Sequence, residues 1–426
     1  MEEKTVAIAD DIAPDTGKPM PKSQMIRFAA GFIIFNIMWM MAGSAGSSVL
    51  LPNRFNDLNI GMTPEAILAS MNSIGIIFAL ISNVVFGALS DATHGKLGKR
   101  TPWIIPGGII AGIAYYMTST AVTLTGIVAW WSVLQVGLNM MIAPCVAILS
   151  DRIPQKIRGT LSAFYGVGQI VGQSLGAIIG AAFVTNPRPG FLIGVVIWVL
   201  TGVVTIIILP KEQPAVAKEG ESFSIKQIVM QFRPPIEGAR DFYLALVGRL
   251  LMIFGYNMIM GYQLYVCQKY IGLSTTDAAA TVSTMASIVM VVSLIFALAG
   301  GPISDKLGKR KLPVFVASAI MAIGLVVPWL APTRTSMLIF AAIMAVGYGI
   351  YMAVDQALNV DVLPNPDDAG KDLGILNLAN TIGQVIAPIA TSSIVIATGS
   401  YALAFPGAIA AVMAGAVIIL FIKKAK

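Results

Sequence analysis

Apolar runs long enough to cross a bilayer recur along this chain, at residues 26–51, 64–90, 102–122, 126–150, 160–184, 191–210, 241–267, 277–304, 313–331, 335–361, 373–398 and 402–422. A spanning helix needs roughly 20 predominantly apolar residues. The pattern therefore predicts an all-α membrane protein of twelve transmembrane helices: a six-helix bundle over 26–210, a polar connection over 211–240, and a second bundle over 241–422. Residues 1–25 are polar and contain no short apolar core ending in a small-residue cleavage site, so they read as a cytosolic tail and not a signal peptide. Residues 423–426 form a second short tail.

The two bundles repeat each other. GALSDATHGKLGKRTPWI (87–104) has a counterpart in GGPISDKLGKRKLPVFV (300–316), aligning Asp91 with Asp305. ILSDRIP (148–154) matches LNVDVLP (358–364), and GVGQIVGQ (166–173) matches NTIGQVIA (380–387), placing Gln169 against Gln384. The three pairs fall in the same order at nearly constant offset. One six-helix unit present twice is the pattern of transporters that hold substrate near the bilayer midplane, between pseudo-repeats.

Composition narrows the function. Of 426 residues, 56% are hydrophobic and 12% charged, against about 25% charged in soluble domains. Two cysteines and one histidine, His94, supply neither a disulfide framework nor a metal centre, and no P-loop is present to drive a primary pump. No nucleophile, base and orienting group fall together, so an enzyme is disfavoured and no cofactor is expected. The net charge of +7 follows from topology. With the amino terminus inside, the outer connections hold only Arg54, Arg188, Lys269 and Arg334, Arg249 lies within a span, and the other 23 of the 28 basic residues are inside. This is the positive-inside pattern; it places both termini in the cytoplasm and requires no nucleic acid.

The motif G-A-L-S-D-A-T-H-G-K-L-G-K-R-T-P-W, between the second and third spans, resembles that of major facilitator superfamily transporters, and the copy in the second half strengthens the likeness. More narrowly, the LGKRTPWI ending and the D-x-x-P-x-x-x-R-G arrangement of Asp151, Pro154, Arg158 and Gly159 resemble the glycoside-pentoside-hexuronide cation symporters and the related sucrose-transporter group. The resemblance implies the major facilitator fold, with a cavity lined by the first, fourth, seventh and tenth helices. Melibiose-type members carry acidic cation ligands within the second span; here AILASMNSIGIIFALISNVVFGALS has none, which favours a proton over sodium as coupling ion, with sodium still open.

Arg249 and Asp355 are the charges that fall well inside spans, where ionisable groups are usually functional. At about 1.5 Å per residue both lie roughly 9 to 12 Å from the same membrane face, so they can meet. Asp355 is the candidate proton or substrate site, with Arg249 biasing its ionisation; a static buried ion pair is the alternative. Polar groups recur at helical spacing: Asn36 and Trp39; Gln135 and Asn139; Gln169 and Gln173; Tyr348, Tyr351 and Asp355; Asn377, Asn380 and Gln384. Tyr256, Asn257 and Gln263 add a polar set on the seventh span. Amides that donate and accept, together with aromatic faces, suit a sugar-like solute, although some amides serve only to join helices.

The clusters Asp91, Lys99, Arg100 with Asp151, Arg158, and Asp305, Lys309, Arg310 are candidates for a conformational charge lock, with topogenic charge the alternative. Gly98 and Gly308 allow tight turns there. Gly168, Gly172, Gly176 and Gly180 form a stripe on which another helix can pack closely, and SFSIKQIVMQF (222–232) has the pattern of an interfacial helix or an ordinary linker. Together these features describe a monomeric plasma-membrane transporter of a small molecule, a sugar or glycoside, working by alternating access with proton coupling. A proton-driven exporter of amphipathic compounds and a non-transporting sensor on the same fold are the alternatives.

Overall fold

The computed structural model describes residues 12–215, 234–236, 238–307, 309–364 and 369–424. Gly308 and the segment 222–232 lie outside them, as do the side chains of Asp305 and Gln356. Among the described residues, twelve helices of 17 or more residues are present. We label them α1 (Lys22–Ala45), α2 (Pro64–Asp91), α3 (Thr101–Thr120), α4 (Leu124–Arg152), α5 (Gln155–Ala182), α6 (Pro187–Ile208), α7 (Arg240–Met260), α8 (Thr275–Leu307), α9 (Lys311–Leu330), α10 (Arg334–Asp361), α11 (Ala369–Thr398) and α12 (Ala404–Leu420). Nine of them are long and apolar enough to cross a membrane by length and composition. Of the others, α12 is apolar but short, and α5 is diluted by Gln155, Lys156, Arg158, Gln169 and Gln173.

The chain folds as two compact units, and these do not coincide with the two sequence blocks. The first comprises residues 1–46, 77–176 and 188–225; the second takes 226–426 together with 47–76 and 177–187. The segment after α1, the start of α2, and the end of α5 with the α5–α6 turn thus belong to the unit of the second-repeat helices.

Within the first unit, α3 and α4 meet through Gly107 and Gly137, whose missing side chains let each approach the other's backbone. A Cβ on Gly137 would lie 2.7 Å from the Ala111 amide nitrogen. The glycine stripe of α5 sits on α1: Cβ atoms at Gly168 and Gly172 would come within 2.7 Å of the Ile33 carbonyl and 2.6 Å of the Ile37 carbonyl. A short hairpin pairs Ile12–Ala13 with Lys18–Pro19, and an isolated bridge joins Gly95 to Ala215.

The second unit repeats these devices at the sequence offsets of the loop motifs. Gly347 of α10, 210 positions after Gly137, packs against Ala317 and Met321 of α9; Gly383 of α11, 215 after Gly168, packs against Leu250 and Phe254 of α7. Thr123 caps α4 by accepting from the Gly126 amide at 3.1 Å, and Thr333 caps α10 by accepting from Ser336 at the same distance. Such caps satisfy amides that a helix start leaves without partners. The first helix of each repeat also ends in a π turn, Gly46–Leu50 after α1 and Val266–Tyr270 after α7.

Candidate functional site

Three helices of the second unit converge on one buried charged group. The Arg249 guanidinium on α7 lies 3.2 Å from Asp355 Oδ2 on α10, with both side chains about 5% exposed or less. Arg249 Nε donates to Asn380 Oδ1 on α11 at 2.9 Å, and Asn359 Nδ2 donates to Asp355 Oδ2 at 3.0 Å. Tyr351, one turn from Asp355, has its buried hydroxyl without a hydrogen bond among the described residues. Two charges taken out of water persist only when paired and hydrogen-bonded, and here both conditions hold. Neighbouring α7 and α10 also present Tyr256 and Tyr348 as a stacked pair, ring centroids 5.0 Å apart and 12° from parallel. Asn257 bonds back to the Ile253 carbonyl at 2.8 Å, inside its own helix. Gln384 and Asn377 are exposed, and Gln263 is buried.

The first unit holds the other candidate polar groups, and several are already engaged. Trp39 Nε1 donates to Asn36 Oδ1 at 3.0 Å while Asn36 donates to the Phe32 carbonyl. Asn139 Oδ1 accepts from Asn83 Nδ2 on α2 at 2.9 Å, and Asn139 Nδ2 donates to the Gln135 carbonyl. The Asn83–Asn139 bond ties α2 to α4, whereas the bonds of Asn36 stay within α1. The side chains of Gln135 and Gln169, half-buried, and Gln173, exposed, make no hydrogen bond among the described residues and stay available.

At the α2–α3 junction Arg100 is the hub. Its Nε and Nη2 donate to Asp151 Oδ2 at 2.8 and 2.5 Å, Nη2 also to Asp91 Oδ1, and Nη1 to Ser90 Oγ. Lys99 joins through its backbone amide alone. Asp151 is therefore held by Arg100, whereas Arg158 reaches the carbonyls of Ser150 and Ile153 at 3.1 and 3.2 Å. In the second repeat Arg310 Nη1 donates to Ser304 Oγ at 3.1 Å, and its Nε stands 3.9 Å from Asp361. Lys309 contributes a carbonyl, accepting from Ser304 Oγ at 2.9 Å.

Two carboxylates escaped the sequence reading. Glu212, after α6, accepts from the backbone amides of Lys99, Arg100 and Thr101 and from the Thr101 hydroxyl, closing the amino end of α3. Glu65 is 3% exposed in the first turn of α2, which begins at Pro64, where the apolar run begins. In a chain so poor in charge, an acid at the very edge of an apolar run was the available signal for Glu65. Nothing local marked Glu212, because its partners are more than 110 residues away.

Repeated helical units, buried charge networks at their junctions and one ion pair deep in a span define a polytopic membrane transporter. The sequence profile of the Major Facilitator Superfamily matches residues 24–333 and 245–426, and the chain belongs to that superfamily, whose members are transporters and not enzymes. The fold is similar to a bacterial homolog of the human lysosomal transporter Spinster. TM-scores are 0.66 to its inward-facing unoccupied form and 0.67 to its inward-facing occupied form, each at 14% identity over 95% of this chain and 95 to 96% of the other. Among curated proteins, Citrate exporter 1 of Yarrowia lipolytica is 26% identical over 197 residues, 46% of this chain. The matched segment spans 28% of that relative's length.

Proposed function

We propose that this transporter moves a small, polar, hydroxyl-bearing solute such as a sugar or glycoside by alternating access, and that Asp355 carries the coupling proton. The buried Arg249–Asp355 pair carries this reading, because protonation of Asp355 would abolish half of the pair and free Arg249 and Asn380 to rearrange. An ionisable group held inside a span against a single counter-charge is the usual device for linking proton occupancy to conformation. The stacked Tyr256 and Tyr348 offer aromatic surface beside it for the apolar face of a sugar ring. The distribution of Lys and Arg supports cytoplasmic termini, and a plasma-membrane location and a monomeric state belong to the same proposal.

A second reading is favoured by one detail. Arg249 uses Nε and Nη1, and its Nη2 has no partner among the described residues, so a carboxylate on an organic acid could take that fork. The relative named as a citrate exporter leans the same way. A thermal-shift panel of sugars, organic acids and hydrophobic cations on the purified chain, at two pH values with and without sodium, separates the readings. Stabilisation by sugars that depends on pH and not on sodium is expected; stabilisation by organic acids alone would favour the second reading, and by hydrophobic cations alone would favour an exporter of amphipathic compounds. Proton uptake undiminished in Asp355→Asn would remove the coupling role.

A further inference from the structure

The two oxygens of the buried Asp355 carboxylate are not equivalent. Arg249 Nη1 and Asn359 Nδ2 both approach Oδ2, at 3.2 and 3.0 Å, and no hydrogen bond reaches Oδ1 among the described residues. Asn359 is itself fully buried, one turn beyond Asp355 on the same face of α10, and its own Oδ1 has no hydrogen-bond partner among those residues. An ionised carboxylate only accepts, so the amide nitrogen is the atom that must face it. Tyr351 lies one turn to the other side, with its buried hydroxyl toward Asp355.

This asymmetry selects where a proton lands. At Oδ2 it would meet the Arg249 cation and displace an amide N–H, whereas at Oδ1 it meets no donor. Protonation at Oδ1 turns the carboxylate into a neutral acid with one new O–H donor, while Arg249 keeps its charge. The Asn359 amide favours the ionised form for as long as Nδ2 donates to it, and a hydrogen bond to a charged group is stronger than one between neutral groups. The same planar amide also carries an acceptor, so turned over it can receive the O–H of the neutral acid. An apolar side chain of similar volume can do neither.

We infer that Asn359 is a positioning residue for proton binding: it holds Asp355 by Oδ2, leaves Oδ1 as the oxygen that takes the proton, and sets the proton affinity by favouring the ionised form. The inference deepens the Asp355 reading and rests on it. The charged and titratable groups facing Asp355 are Arg249 from α7 and Tyr351 on α10 itself, with Tyr348 beside Tyr351. Helix α11 supplies the neutral Asn380, which acts through Arg249. Helices α8 and α9 also pack against α10, and neither makes a hydrogen bond or ion pair with Asp355 among the described residues.

The test reads the bound proton and not transport. The purified full chain is titrated by infrared difference spectroscopy, and the Asp355 carboxylic-acid band is the one missing from Asp355→Asn. Deleting a donor to the charged form raises proton affinity, so the band should persist to higher pH. Asn359→Leu should move its midpoint up by about one pH unit, a tenfold change in proton affinity. Leu358→Ala removes buried packing at the neighbouring position and no polar group; its midpoint should equal that of the parent. An unmoved midpoint in Asn359→Leu, or an equal rise in both variants, overturns the positioning role. Should Asn359→Leu fail to fold, Asn359→Ala removes the same donor with a strong helix former and is held to the same criterion. The coupling role of Asp355 fails separately, through undiminished proton uptake in Asp355→Asn, so the two failures are told apart. A titration in which Asp355→Asn removes no band overturns both.

Discussion

Gly98 adopts φ +84° directly against the carboxylate of Glu212, so that any side chain at residue 98 would occupy the space of the Glu212 carboxyl. The left-handed backbone turns the amides of Lys99, Arg100 and Thr101 toward one point, and Glu212 fills it. A carboxylate at a helix amino end is favoured both by the bonds it accepts and by the helix dipole.

Gly98→Ala should lose stability on two counts, a strained φ and collision with Glu212. Together these amount to about 1 to 3 kcal/mol. Thermal melting of the purified protein should show the drop, and Gly61→Ala is the control: φ +73° but open space around it. Equal losses in the two variants would assign the whole effect to backbone strain.

Glu212→Ala should free three amides at the start of α3. Hydrogen exchange at Lys99, Arg100 and Thr101 should accelerate, with a stability loss of about 1 to 2 kcal/mol. Exchange elsewhere in α3 should change little, since the remaining ladder is intact.

Arg100→Lys keeps the charge but loses the fork that reaches Asp151, Asp91 and Ser90 together. A point charge cannot serve three acceptors in fixed directions, so the variant should behave nearly as badly as Arg100→Ala in melting. Melting of Arg100→Lys at the parent temperature would contradict this geometry.

Arg249→Met should leave Asp355 buried without a counter-charge, a loss of about 3 to 5 kcal/mol. Arg249→Met combined with Asp355→Leu should recover much of it, since an apolar pair of similar volume has no desolvation penalty. A double-mutant cycle in melting measures the coupling; a double variant as unstable as the sum of the singles would mean the two charges do not act on each other.

How much of this was legible in the sequence differs by element. Spans, loop motifs and repeat were readable because bilayer thickness and helical rise set the length of every apolar run, and that constraint acts locally. The α5 stripe was readable for the same reason: glycines four apart lie on one face whatever they face. Arg249 and Asp355 were legible as a pair, since few charges lie within spans and each one's depth can be counted along its helix. Identifying the partner of a given polar group was beyond it. Asp151 and Arg158 share a motif, yet Asp151 is held by Arg100, 51 positions upstream; Asn36 and Asn139 have the spacing of cavity amides, yet bond to Trp39 and Asn83.

By itself, then, the sequence determined the twelve helices, their repetition and the confinement of charge to junctions, because the lipid solvent enforces these on each segment separately. Tertiary structure decided which acid meets which base, brought Glu212 onto α3 and Glu65 under Lys269 and Tyr401, and moved residues 47–76 into the unit of the second repeat. The physical reason is range. Hydrophobic burial acts on every residue of a run, whereas a hydrogen bond or ion pair depends on a few ångströms between groups that can stand hundreds of positions apart in the chain.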